Sequence, residues 1–393
     1  MKTVAIVGGG PAGAMTATGL MQGAGASETR VVVFEEKPGW EKPCGGGLSH
    51  KALKKYPFLS HAAGLAKPVY KMEVRAPGDV AVCFGLREPL VIYSRSELNR
   101  LLLERSRKAG AEVVNDRIIG AVREGDRWRL KGRSSSYDAD YLIVAAGARS
   151  GLRNHLAGPL KARDFMLTFG YFVPGCEDRL RVEFFRDFEG YAWSFPRANH
   201  LSVGICGKVG HVKMSDLRQM LSSFMSRFGY STESAPVFSH LLPALETESW
   251  ATMRLEGPGW ALAGDAAGLT DPVTGEGLYF ALRSGELLAE SMVKGFSYAR
   301  RVWNEFGRKL MLGARIGPKF YRGEFLGASV TTRIVQFCSR SRTFLSLFED
   351  VVEGKQAYLG LPGRLFRNLP RSLVEIATHS VWKRLGAQSA EKA

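Results

Sequence analysis

Two apolar rhythms run through this chain, and their order lays out its elements. The run Val4 to Val7 is too short for a helix and ends at glycine, so it reads as a buried strand. VVVFE at 31–35 reads as a second strand, ending on an acid. Between them Ala12, Met15, Ala17 and Leu20 recur near helical spacing, predicting a helix from about Pro11 to Gly23. Residues 37–49, KPGWEKPCGGGLS, hold four glycines and two interior prolines, which suits exposed or ligand-lining backbone. Alternation at 69–75 and 79–84 about Pro77-Gly78 predicts a hairpin. Ser94, with Glu97 three residues on, predicts a box-capped helix to Lys108. Strands are predicted near 111–115, 117–124 and 127–132, then a buried run near 140–146.

From about 164 to 206 the pattern turns antiparallel: MLTFGYFV, LRVEFF, YAWSF and LSVGIC. Its rings (Phe169, Tyr171, Phe172, Phe184, Phe185, Tyr191, Trp193, Phe195) suit either an apolar cavity wall or the core beneath a sheet. A helix near 214–227 and a return strand near 248–254 close the region. Residues 259–282 read as a buried strand ending in Gly264-Asp265, a loop, and a helix opened by Gly275 and Gly277. Beyond about 298 the pattern is helical.

The first segment carries specific chemistry. GGGPAG at 8–13 stands between a strand and a helix. Gly8 permits the tight turn, Gly10 lets backbone approach a pyrophosphate, and Gly13 lets the helix pack on the strand. A diphosphate then meets the helix N-terminus, where unpaired N–H groups and the helix dipole favour an anion. Glu35 falls where an acid hydrogen-bonds a ribose hydroxyl. Far along the chain, Asp265 after a buried strand is placed to accept from a polyol. Two such sites imply one ligand long enough to span both, and FAD fits better than NAD. Cys44, between Pro43 and three glycines, is placed where backbone closely approaches a ring. Arg95 opens its helix against the dipole, which a ligand or a carboxylate would offset.

Composition narrows the classes. With 45% apolar and 23% charged residues in 393, the chain is a folded protein of two or three domains. Its net charge is +16, and from Arg300 onward 17 basic residues face 7 acidic ones. No nucleic-acid motif accompanies this charge, so it fits either a membrane surface or a solvated basic face. Residues 373–385 place Leu373, Val374, Ala377, Val381 and Leu385 on helical spacing with Arg371, Lys383 and Arg384 beside them, as either an interfacial helix or a packed one. Five cysteines without a CxxC pair argue against disulfides and zinc, so no metal is expected and a reducing compartment is. No apolar run suits a signal peptide or a spanning helix, so the expected location is cytoplasmic, with a peripheral place on the inner membrane face in keeping with the charge.

These motifs together resemble the geranylgeranyl reductase family, within the flavoproteins built like p-hydroxybenzoate hydroxylase. The group features are GGGPAG, Glu35, Arg95, YLIVAAGARSGLR at 141–153, and GDAAG with PVTGEG at 264–277. PCGGGL at 43–48 and YAWSFP at 191–196 point to the narrower family. The likeness covers about residues 1–300. It implies an α/β fold: a Rossmann-like FAD-binding domain (1–163 and 255–297) interleaved with an antiparallel-sheet substrate domain (164–254), then a helical basic region (298–393). It implies that Gly8, Gly10, Ala12 and Gly13 hold the pyrophosphate and Glu35 the adenosine ribose. Cys44, Gly45 and Gly47 would line the FAD, and Arg95 would reach its ribityl–phosphate region. Asp265 would accept from the ribityl or pyrophosphate region, Gly277 and Leu278 would face the isoalloxazine, and Ile118 would meet the adenine. Tyr191 and Trp193 would line the substrate cavity.

The implied activity is reduction of an isolated C=C bond in a prenyl chain on a lipid, quinone or pigment precursor, by hydride from reduced flavin. Cys44 and Tyr191 are the candidate proton donors, with His50 a further loop residue. The electron donor would be a ferredoxin-like protein or NAD(P)H. Competing readings are a flavin monooxygenase or halogenase on an aromatic metabolite and a non-catalytic flavin-binding protein. Against the first, Ala146-Gly147 replaces the hydroxylases' Asp-Gly and the halogenase WxWxIP pattern is absent.

Overall fold

The computed structural model describes residues 1–23, 25–60 and 64–378 in full and the backbone alone from 379 to 390. Its first sheet has six strands in the order Glu256–Gly257, Trp260–Leu262, Tyr141–Val144, Lys2–Val7, Thr29–Phe34, Glu112–Val114. All neighbours run parallel except the short edge pair. The central strands are buried along Val4–Val7, Val31–Phe34 and Leu142–Val144, as expected where helices cover the faces. Helix Pro11–Gln22 packs on helix Leu278–Lys294 through small residues. A Cβ on Gly285 would come within 2.3 Å of the Ala12 carbonyl oxygen, so only glycine allows that approach.

The second sheet has eight strands: Val237–Pro243, Phe165–Pro174, His200–Lys208, Gly190–Pro196, Arg179–Glu183, Ala66–Ala76, Val80–Tyr93 and Gly47–Leu48. Only Arg179–Glu183 against Ala66–Ala76 is parallel. The hairpin is longer than its alternation suggested and belongs to this sheet. Side chains separate by the period of two. Phe169, Val203 and Ile205 meet helix Met214–Arg227, while Tyr191, Trp193 and Phe195 face the other way.

Two local readings change. The return strand is Val237–Pro243, and residues Thr247–Thr252 form a helix. Buried Asp164 accepts from the Glu246 N–H at 3.0 Å and the Ser249 hydroxyl at 2.9 Å, capping that turn from outside it. Helix Arg95–Lys108 begins after Ser94 as predicted, but without the box. Glu97 pairs with Arg100, and the cap is Glu41, 54 residues upstream of Arg95, whose carboxylate accepts from the Arg95 N–H at 2.7 Å.

Helices Arg308–Arg322, Val330–Arg340, Arg342–Val352 and Leu361–Ala390 complete the chain. Glu375 accepts from Ser341, the Thr343 N–H and the Thr343 hydroxyl, tying the last helix to the start of the one before it. The side chains of Val381, Lys383, Arg384 and Leu385 lie outside the described residues. Among the described residues no helix is long and apolar enough to cross a membrane.

Candidate active site

The cradle forms where the first strand turns into its helix. Gly8 has φ +105°, a left-handed value that glycine alone adopts without strain. Gly10 is the helix N-cap, with no side-chain cap and no acid in the first turn. A Cβ there would meet nothing within 4 Å, so the exposed N–H groups face open space. Gly8, Gly10 and Ala12 line the cavity, whereas Gly13 serves packing: its Cβ would come within 1.9 Å of the Gly8 carbonyl oxygen. Glu35 lines the cavity with both oxygens braced, accepting from the Gly9 N–H at 2.7 Å and the Lys37 N–H at 2.8 Å. Ile118 lies on the same wall.

The second strand end converges on the same space. Asp265, Gly277 and Leu278 all line the cavity. Lys42 Nζ lies 2.6 Å from Asp265 Oδ2. Burial pushes the Asp265 carboxyl up, but Lys42 outweighs it and holds the group below the usual carboxylate range. His240 stands beside this pair, and burial, then Lys42, pulls its pKa down to about 4. Among the described residues, His240 Nε2 and Arg95 Nε have no hydrogen-bond partner, although both residues line the cavity.

Residues 43–47 form the floor between these halves. Gly46 has φ +84°, and its carbonyl receives the Tyr93 N–H at 2.9 Å. Gly45 and Gly47 lie against the Phe195 ring, too close for a larger residue at Gly45. The Cys44 carbonyl receives Arg197 Nη2 at 2.5 Å and the Ser202 hydroxyl at 3.0 Å. Its Sγ receives the Gly46 N–H at 3.3 Å.

Above this floor the cavity, about 1150 Å³, continues into an apolar chamber. Four of the eight sheet rings line it: Phe184, Tyr191, Trp193 and Phe195. The opposite wall is Phe320, Ile334, Phe344 and Phe348 from the C-terminal helices, which sequence reasoning had not connected to the site. Burial raises the Tyr191 phenol well above its ordinary value, so it stays protonated. Its hydroxyl donates to the Thr274 carbonyl at 2.7 Å, anchoring the loop that leads to Gly275. Trp193 Nε1 donates weakly to Ser202 Oγ at 3.4 Å. His50 is outside the cavity, 3.5 Å from Glu88.

Sequence reasoning also passed over Glu41, Lys42, Arg197 and His240. Lys42 is two residues before Cys44 and Arg197 directly follows YAWSFP, so proximity to motifs was the available signal. The glycine floor, the open helix N-terminus and the unpartnered side-chain nitrogens of Arg95 and His240 fit an elongated anionic cofactor with a polyol linker.

No family model matches the chain. It is 28% identical over 336 residues to the chloroplastic geranylgeranyl diphosphate reductase of Oryza sativa, covering 77% of this chain and 68% of that one. It is 26% identical over 378 residues to the geranylgeranyl diphosphate reductase of Synechocystis, covering 88% and 89%. Its fold matches a geranylgeranyl bacteriochlorophyll reductase-like protein from Thermoplasma acidophilum, with TM-score 0.74 and 20% identity, covering 96% and 100%. Fold and site together define an FAD-dependent oxidoreductase. Within that class, the chain is similar to the geranylgeranyl diphosphate reductases.

Proposed function

We propose that the enzyme reduces isolated C=C bonds of a prenyl chain, of geranylgeranyl type, carried by a lipid, quinone or pigment precursor. The observation that carries this reading is the ring-lined chamber opening directly off the Cys44 floor. Bound FAD, once reduced, supplies the hydride. An unactivated alkene offers no carbonyl to polarise, so the protein must contribute alignment and exclusion of water. Burying a long isoprenoid provides roughly 0.8 kcal/mol per CH₂-sized unit for that purpose.

In this reading residues 1–163 and 255–297 hold the cofactor and 164–254 hold the substrate, with the strands at 66–93 lent to the substrate sheet. Gly8, Gly10 and Ala12 face the pyrophosphate, Glu35 the ribose and Ile118 the adenine. Asp265 and Arg95 take the polyol and phosphate, and Gly277 with Leu278 closes the ring end. Cys44 holds the proton delivered to the chain. Tyr191, whose proton is committed to Thr274, places the loop and walls the chamber with Trp193. Electrons come from a ferredoxin-like protein or NAD(P)H.

The substrate reaches the site from the inner membrane surface. Helix Leu361–Ala390 puts Leu361 and Leu365 into the cavity wall. On an adjoining side it exposes Phe366, Leu369 and Leu373, spaced i, i+3 and i+7, with Arg367 and Arg371 exposed beyond them. An apolar stripe edged by arginine suits an anionic bilayer, and it is continuous with the chamber lining.

The experiment is incubation of the reduced enzyme with a panel of geranylgeranyl lipids and prenyl quinones, followed by mass spectrometry. A gain of two mass units per saturated bond is expected. An unchanged alkene count across the panel removes the reading.

A further inference from the structure

Among the described residues one arginine is buried completely, and it lies outside every motif used so far. Arg197 has no exposed surface, yet it sits at the end of the YAWSFP strand facing residues 41–44. One arm forms an ion pair with Glu41 and the other donates to the Cys44 carbonyl. Glu41 in turn caps helix Arg95–Lys108, accepting from the Arg95 N–H at 2.7 Å, the Ser96 N–H at 3.2 Å and the Ser94 and Ser96 hydroxyls. Burial pushes the Glu41 carboxyl up, while Arg197 and these donors hold it below its ordinary value, so it stays ionised.

We propose that Glu41 and Arg197 form a positioning clamp that fixes the Cys44 thiol and the Arg95 guanidinium relative to each other across the cofactor site. The idea rests on the reading that Cys44 acts beside bound flavin. The physical case is one of shared restraint. Two donors, from Arg197 and Ser202, lock the Cys44 carbonyl, and peptide planarity then fixes the Gly45 N–H in the opposite direction. The one carboxylate that neutralises Arg197 also sets the first turn of the helix carrying Arg95. A buried guanidinium holding a carbonyl and a carboxylate in a fixed fork is a rigid spacer, which lysine cannot reproduce because it is a single point donor. Neither Glu41 nor Arg197 lines the cavity, so both act through other groups.

The test uses the full chain with exposed Cys83 and Cys176 changed to serine, so that Cys44 is the thiol iodoacetamide reaches; Cys206 and Cys338 are buried. Variants are Arg197→Met, Arg197→Lys, and the pair Glu41→Gln with Arg197→Met. Readouts are the alkylation rate of Cys44 without FAD, the visible bands of bound FAD, and the melting temperature. With the clamp gone, alkylation should accelerate at least tenfold and the flavin bands should shift. Arg197→Lys should fall between, because it keeps the ion pair but not both bonds.

The double variant separates positioning from folding. It leaves no charge stranded, so its melting temperature should recover toward that of the parent while Cys44 stays fast. A double variant that melts like the parent, alkylates within twofold of it and keeps its flavin bands would overturn the clamp. No alkene substrate enters these measurements, so failure of the prenyl reading would leave their result intact.

Discussion

Replacing Phe366, Leu369 and Leu373 with serine should release the enzyme from anionic vesicles without unfolding it. These side chains are 78%, 49% and 55% exposed, so each has about half or more of its apolar surface still to bury. Fully burying such a side chain is worth about 1.5–3 kcal/mol, which puts the three together near 4 kcal/mol. At about 1.4 kcal/mol per factor of ten, the vesicle partition coefficient should fall roughly a thousandfold. Changing Arg367 and Arg371 to glutamate tests the electrostatic part, about 1 kcal/mol for each arginine and lost in high salt. The assay is co-sedimentation with vesicles over a lipid titration, with melting temperature as the control. Exposed positions of this kind shift stability within about 0.5 kcal/mol. Point substitution is preferable to truncating the helix, because Glu375 also holds the start of helix Arg342–Val352. If the triple serine variant sediments with the parent's lipid dependence, the membrane face is not this helix.

Three further outcomes follow from the site. Asp265→Asn should weaken FAD binding tenfold to a hundredfold by equilibrium fluorescence titration, because a charge-assisted acceptor worth about 1.5–3 kcal/mol is lost and Lys42 is left unpaired. His240, held near pKa 4 against an ordinary 6.5, binds its proton more readily in the unfolded chain, so folding stability falls as pH drops through that window and is unaffected above it. Between pH 7 and pH 5 this group alone should remove about 2 kcal/mol in urea unfolding, and His240→Gln should abolish that part of the slope. Tyr191→Phe should lower kcat less than tenfold, since its hydroxyl serves the Thr274 carbonyl, whereas Cys44→Ala should remove turnover while FAD still binds; equal losses in both would contradict the division of roles.

What could be read from sequence was whatever backbone geometry demands locally. Gly8 sits where a tight turn requires it and Gly13 where a close helix does, and the Gly277 helix opening is likewise local. The eight sheet rings left cavity wall and core both open, and the structure divides them, with Phe184, Tyr191, Trp193 and Phe195 in the cavity wall. The misreadings share a cause: a distant group displaced the local one. Glu41 took the capping role assigned to Ser94 with Glu97, and Asp164 braces residues 247–252 as a helix where a strand had been expected. The far wall, Phe320 to Phe348, had no motif because aliphatic and aromatic helix faces look alike whether they meet a core or a ligand.

The sheet order also constrains how the protein is made. Lys2–Val7 leaves the ribosome well before its neighbour Tyr141–Val144, beside which lies Trp260–Leu262, and helix Pro11–Gln22 waits for Gly285 to cover it. At roughly 5–20 residues per second, that partner emerges on the order of tens of seconds later. Throughout that interval the nascent chain lacks the partner of its first helix and the far side of the coenzyme cleft, so the cleft is completed only late in synthesis.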